Sequence, residues 1–338
     1  MFRHPLRSLL SRPVLFTHTR TPPPSLLPLS VPRPAINYNP NYYSTRNYRY
    51  RTMATWTNLI RFIAEEDGQE HLGDVDRSQY PDVGLSIHDG TPVTARVING
   101  TVFDGVVTDK VLTVARLLCP LPVSAVPIIR CLGLNYRDHA HEAKMPIPDV
   151  PVLFIKPRTA LTGPHPSKIV VPKAVQDGTS DYEAELTIVI SKTGKDIPED
   201  KALEYVLGYT AGNDVSSRKS QFENSQWSYS KGFDGSAPIG PVIVREGVLD
   251  PHNLGIKAIY NGQTVQDSNT KEMIFSVQHT ISFLSRGTTL EAGTVIMTGT
   301  PPGIGAMREP KIVLGDGDDM KVWIEGIGTL VNKVHYEK

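Results

Sequence analysis

Two glutamates one residue apart, Glu183 and Glu185, run into an apolar, β-branched segment in DYEAELTIVI, residues 181–190. In a β-strand alternate side chains share a face, so the pair projects together while Tyr182, Ala184, Leu186 and Ile188 take the other side. On an exposed strand edge such a pair costs little. Gathered in one site, two carboxylates repel unless a cation stands between them, and a hard divalent ion with oxygen ligands removes the repulsion. A third carboxylate, Asp214, follows the apolar run YVLGYTAG in GNDVSSRKSQ. There, Asn213 or Asp214 could equally cap the helix that comes next. Two Glu and one Asp, with no His or Cys beside them, favour Mg²⁺ or Mn²⁺ over Zn²⁺.

Other groups could serve the same site. In GLNYRDHAHEAK, His139 and Glu142 are three apart and share one side if the piece is helical, with His141 off that face. A Glu so placed orients the imidazole and raises its basicity, making a base that activates water; a surface helix carrying an incidental pair is the competing reading. Arg218 and Gln221 fall on one helical face after Asp214, and Lys231 lies in SYSKGFDG. Together they suit a carboxylate and an oxyanion. The stretch TGTPPGIG, 298–305, has glycines for tight turns with exposed amides, or is a plain loop. It lacks the GxGxxG pattern of a dinucleotide site.

The elements around these residues must come from a chain of 338 residues, 39% hydrophobic and 21% charged, enough for a large core and one or two domains. Lys+Arg equals Asp+Glu, yet the first acid is Glu65. Residues 1–52 hold eight arginines and no acid, so the remainder has 27 basic groups against 35 acidic ones. An acidic body argues against nonspecific nucleic-acid binding. Cys119 and Cys131 cannot build a disulfide framework, which fits a reducing compartment. No run of about 20 apolar residues is present to span a membrane. The start MFRHPLRSLLSRPVLFTHTR is Arg-rich, Ser-containing and acid-free, the composition of a mitochondrial transit peptide, and the proline-rich stretch after it opposes a packed core. Residues 1–52 are therefore expected to be a disordered basic presequence directing the chain to the mitochondrial matrix. A second, cytosolic product starting at Met53 is a further expectation.

Residues 53–125 alternate short apolar runs with turn signals and read as a small β-rich N-terminal domain with a helix around 108–118. From 126 to 338 short β-branched strands with Gly/Pro punctuation predominate, with helices expected near 136–144, 199–207, 215–223 and 275–286. Several strands are apolar throughout. The expected architecture is α+β and β-rich, a large, mixed, curved sheet with short helices outside it, without internal repeats.

Taken together, GLNYRDHAHE, FIKP, DYEAELTIVI, GNDVSSR, SKGFD, VQDSNTKEMIF and TGTPPGIG resemble the fumarylacetoacetate hydrolase family, in the order that family has them, over roughly residues 128–335. Residues 54–125 look like its variable N-terminal domain. The segment DPHNLGIKAIYNGQTVQDSNT and the ending IGTLVNKV look most similar to small mitochondrial members acting on oxaloacetate and acylpyruvates. The resemblance implies a rolled mixed β-sheet fold, usually a homodimer, and a divalent metal (Mg²⁺ or Mn²⁺) held by Glu183, Glu185 and Asp214. It implies a lid carrying His139 and Glu142, substrate-side Arg218, Gln221 and Lys231, and Thr300 near the substrate carboxylate. Many members read S-A-R-D after the metal-binding Asp; here Ser216-Ser217-Arg218-Lys219 puts a base where they have an acid.

The implied chemistry is that of short β-dicarbonyl 2-oxo acids through a metal-bound enolate. His139, aligned by Glu142, would take a proton from water or carbon, and Lys231 and Gln221 would help the enolate. Keto–enol tautomerisation of oxaloacetate is favoured from the C-terminal likeness. A C–C hydrolase acting on acylpyruvates or fumarylacetoacetate-type substrates, an oxaloacetate decarboxylase and a non-catalytic metal-binding relative are the alternatives. The last should have lost at least one of His139, Glu142 and Lys231. The partner expected is a small-molecule 2-oxo acid, with neither nucleic acid nor membrane.

Overall fold

A computed structural model of the chain describes residues 54–338. The presequence expected over 1–52 lies outside the described residues. The largest feature is an 11-stranded sheet. From one edge it runs Glu70–Asp74, Thr94–Asn99, Val106–Leu118, Asn58–Ala64, Ala237–Arg245, Val206–Asn213, Ala184–Ile190, Val295–Met297, Ile129–Gly133 and Val152–Lys156; Leu161–Thr162 pairs beside this path with Ala237–Arg245. Most pairs are antiparallel. Val295–Met297 and Ile129–Gly133 are parallel, so the sheet is mixed, as expected.

A five-stranded sheet of Gln263–Asn269, Gly255–Tyr260, Asp319–Ile324, Gly328–Tyr336 and Lys168–Val171 supplies a second layer. Leu186, Ile188, Tyr209 and Val244 share one core with Ile256, Val322, Ile324 and Leu330 of this layer. Val189, Leu207, Ile239 and Ile243 enter a separate core with Trp56, Ile129 and Cys131. The central strands are thus buried on both faces, which is why they read as unbroken apolar runs. Helices are short: Val83–His88, Arg137–Glu142, Arg218–Glu223 and Val277–Ser285, with Glu199–Tyr205 a 3₁₀ turn leading directly into a strand. No helix among the described residues is long and apolar enough to cross a membrane. Both cysteines are free.

One expectation needs correction. The helix around 108–118 is the long strand Val106–Leu118. Its buried residues Leu112, Val114 and Leu117 step by two and then by three. The step of three comes from a bulge, since Ile63 pairs with Arg116 and Ala64 with Val114. A bulge turns part of a period-two pattern into one that imitates a helix. Residues 53–125, expected to be a small β-rich N-terminal domain, give their strands to the large sheet. The strand Asn58–Ala64 pairs with Ala237–Arg245, so the sheet crosses the boundary placed at residue 125.

Candidate active site

The register of the central hairpin builds the site. Ala184 pairs with Asn213 across the antiparallel strands. The Glu183 amide donates to Asn213 Oδ1 (2.9 Å), and the Asp214 amide donates to the Glu183 carbonyl (2.9 Å). Asp214 is therefore locked against the start of the strand that carries Glu185. The capping reading falls away, since Ser217 precedes the helix Arg218–Glu223. Glu183, Glu185 and Asp214 are all buried, and one carboxylate oxygen from each lies within 4.8 Å of the others.

Three buried cations face these acids. Lys231 Nζ contacts Glu183 Oε2 (2.9 Å), Asp214 Oδ2 (2.7 Å) and Ser216 Oγ (2.7 Å). All three of its N–H donors are thus committed. Lys156 Nζ lies 2.8 Å from Asp214 Oδ1 and donates to the carbonyls of Val215 and Ser236. Arg218 bridges Asp181 through Nε (2.8 Å) and Glu183 through Nη1 (2.6 Å), and Nη1 also donates to Gln221 Oε1 (2.8 Å). Its buried Nη2 has no hydrogen-bond partner. Counting Asp181, four carboxylates meet three cations.

The surplus charge falls on Glu185. Its Oε2 accepts the Gly299 amide (2.7 Å), whereas its buried Oε1 has no hydrogen-bond partner. Burial, and then the charges of Asp214 and Glu183, push its carboxyl well above the usual range. Burial would raise Glu183 too, but Lys231 and Arg218 outweigh it and hold that carboxyl down at about 2. An orphaned oxygen, an uncompensated charge and an all-oxygen donor set fit a hard divalent cation. Glu183, Glu185 and Asp214 are the residues that would hold it.

The loop TGTPPGIG supplies the backbone of the site. Gly299 bonds Glu185, the Gly303 amide donates to Glu142 Oε1 and Oε2 (3.0 and 3.2 Å), and the Gly305 and Ala306 amides donate to Asp181 (2.8 and 2.9 Å). Glycine is needed at 303, where φ is +98° and an added Cβ would sit 2.2 Å from the Val265 carbonyl. His139 and Glu142 lie on the helix Arg137–Glu142, with Nδ1 3.0 Å from Glu142 Oε2. Thr300 is tied down: its hydroxyl donates to the Ala184 carbonyl (3.0 Å) and accepts from Gln266 Nε2 (2.8 Å).

A cavity of about 170 Å³ joins these groups. Glu183, Arg218, Gln221, Lys231, His139 and Thr300 line it, with Phe154, Trp227, Phe222, Met145 and Met307 forming an apolar wall. Glu185 and Asp214 are not among its lining residues, and Glu142 reaches it through His139. Glu183, Glu185, Asp214, His139, Glu142, Arg218, Gln221, Lys231 and Thr300 are thus at or directly behind one cavity.

Three participants escaped the sequence reading. Asp181 precedes Glu183 by the same two-residue step that links Glu183 to Glu185, and that spacing could have revealed it. Lys156 ends the apolar run VLFIK, and a lysine in such a run is a signal for a buried partner. Gln266, which bonds the Ala184 amide, Thr300 and the Pro301 carbonyl, lies in the motif VQDSNTKEMIF, whose residues were given no individual role.

Fold and site together define a β-rich enzyme class built around a buried carboxylate triad. The chain belongs to the fumarylacetoacetate hydrolase family, whose C-terminal domain matches residues 128–335. Members of this family are hydrolases, tautomerases or isomerases, and this chain is an enzyme of that kind. A caffeoylpyruvate hydrolase of Neonothopanus nambi is 45% identical over 294 residues, 84% of this chain and 95% of that one. A mitochondrial oxaloacetate tautomerase of Homo sapiens is 40% identical over 216 residues, 63% of this chain and 68% of that one. Among solved structures, a fumarylpyruvate hydrolase of Pseudomonas aeruginosa in complex with Mn²⁺ and pyruvate matches with a TM-score of 0.57 and 34% identity, covering 66% of this chain and 93% of that one.

Proposed function

We propose that the chain is a divalent-cation-dependent enzyme on β-dicarbonyl 2-oxo acids, cleaving the C–C bond of acylpyruvates to give pyruvate and a carboxylic acid. The observation that carries this reading is the single cavity in which Glu183, Arg218 and His139 face an apolar, aromatic wall. Mg²⁺ or Mn²⁺ at the triad would supply Lewis acidity to the 2-oxo acid end of the substrate. The unpartnered Nη2 of Arg218 donates to the substrate carboxylate, with the amide nitrogen of Gln221 beside it. Phe154, Trp227 and Met145 exclude water from the acyl group.

His139 handles the proton. Glu142 engages Nδ1, which leaves Nε2 to accept a proton from water. The hydroxide oxygen adds to the acyl carbonyl carbon, and the C–C bond to the pyruvate half breaks. The bonding pair moves onto that half, which takes its proton back from Nε2. Lys231 and Lys156 keep Glu183 and Asp214 fixed. With its donors committed, Lys231 serves these carboxylates from the cavity wall.

A second reading is keto–enol tautomerisation of oxaloacetate, in which the same Nε2 moves a proton between carbon and oxygen. The small cavity and the mitochondrial tautomerase relatives favour it. Supplying the protein with Mg²⁺ and either acetylpyruvate or enol-oxaloacetate separates the two. Pyruvate release from acetylpyruvate supports hydrolysis, and enol loss without pyruvate supports tautomerisation. Silence with both sinks the assignment to short 2-oxo acids.

The reading extends to location and assembly. The acid-free, Arg-rich start and the mitochondrial relatives support delivery to the matrix; a fluorescent protein fused to residues 1–52 that stays in the cytosol would contradict it. The strand Val152–Lys156 is a sheet edge with Val152, Leu153 and Ile155 exposed, next to exposed Met145, Ile147 and Val150. An apolar edge of this kind supports a homodimer.

A further inference from the structure

The cavity at the triad has a neighbour. A second cavity of about 260 Å³ is lined by Arg218, Lys219 and Phe222 of the helix Arg218–Glu223 and shares Arg218, Phe222, Ala306 and Met307 with the first. Two of the shared side chains, Phe222 and Met307, are 78% and 44% exposed, so neither is pinned by packing. Each cavity alone is smaller than the ~300 Å³ at which small-molecule sites usually begin. An acyl chain too long for the first cavity would extend past Phe222 and Met307 into the second.

The second cavity is electrically different from the first. Lys219 and Lys311 line it, both exposed, and neither forms an ion pair with any described residue. The Lys219 amide donates to Thr179 Oγ1, which fixes the root of that side chain to the cavity wall. The lining has one acid, Asp181, and it is buried, with its oxygens taken by Arg218 and the amides of Gly305 and Ala306. The cavity therefore presents two cations that have no ion-pair partner among the described residues.

We propose that Lys219 and Lys311 are specificity-determining residues. They select acylpyruvates whose acyl chain passes Phe222 and Met307 and ends in a carboxylate. The proposal rests on the acylpyruvate reading above. Ammonium-to-carboxylate hydrogen bonds are strong, and two of them in the second cavity would read the charge at the end of an acyl chain long enough to enter it.

Two acylpyruvates of equal chain length, one ending in a carboxylate and one in its methyl ester, test this with the Mg²⁺-loaded full chain. The native protein should prefer the carboxylate in kcat/KM. The Lys219→Ala, Lys311→Ala double variant should lose that preference on the order of tenfold or more, mainly in KM. Turnover of the ester should stay unchanged, which shows the fold and catalytic groups intact. Lys219→Asp should turn the preference toward the ester. No preference in the native protein, or an equal loss on both substrates in the double variant, overturns the assignment. If the native protein cleaves neither substrate, it is the acylpyruvate reading that has failed. The lysines are then read by calorimetric binding of a dicarboxylate and its half-ester, where equal affinities overturn their role.

Discussion

Glu142 holds the Gly303 amide with both carboxylate oxygens, at 3.0 and 3.2 Å, while its Oε2 also lies 3.0 Å from His139 Nδ1. A single side chain thereby joins the proposed base to the loop whose other amides hold Glu185 and Asp181. Glu142→Gln keeps an acceptor for Gly303 but can turn its NH₂ toward Nδ1, which favours the wrong tautomer. Turnover should fall about 10²–10⁴-fold with an unchanged unfolding midpoint. Gly303→Ala should lose both, because its Cβ meets the Val265 carbonyl. A stopped assay beside thermal unfolding distinguishes the two outcomes.

Cation binding should release a proton. Glu185 is pushed up, so it retains a proton at a pH where free glutamate is ionised, whereas Glu183 at about 2 stays charged. Affinity for Mn²⁺ should rise with pH, and calorimetry in buffers of different ionisation enthalpy should show the proton leaving. Without the cation, the raised Glu185 favours folding at pH below its unfolded value and costs stability as pH climbs through its folded value. Stabilisation by Mn²⁺ should therefore grow from acid to neutral pH. Glu185→Gln should remove the proton release and weaken binding.

Lys156 is wholly buried against Asp214. Lys156→Met removes one partner of a buried pair and leaves Asp214 poorly compensated, a change that costs about 3–5 kcal/mol in comparable pairs. Urea unfolding of the variant should show a markedly lower midpoint. An unchanged midpoint would mean that Lys231 alone satisfies Asp214.

Leu153 lies on the exposed edge strand. Leu153→Glu puts a charge on the face proposed to be shared by two copies. The variant should elute as a monomer in light-scattering chromatography while keeping its far-ultraviolet circular dichroism. Native protein that is already monomeric would remove the dimer proposal.

What could be read without coordinates was local in the chain. The two-residue step from Glu183 to Glu185 and the three-residue steps His139–Glu142 and Arg218–Gln221 are periodicities of strand and helix, so residue types and spacing sufficed. Family motifs then tied these pieces to Asp214 and Lys231. Tertiary structure decided the rest, because it depends on which backbones lie side by side. The pairing of Ala184 with Asn213 sets Asp214 against Glu183. Lys156 arrives from a strand far along the sheet, and the amides of residues 299–306 find three separate carboxylates. The bulge opposite Ile63 and Ala64 hid a strand behind a helical rhythm. It also took three-dimensional packing to show that Lys231 has no donor to spare and that Lys219 faces a second cavity, since hydrogen-bond saturation and enclosure are properties of neighbours that sequence order does not record.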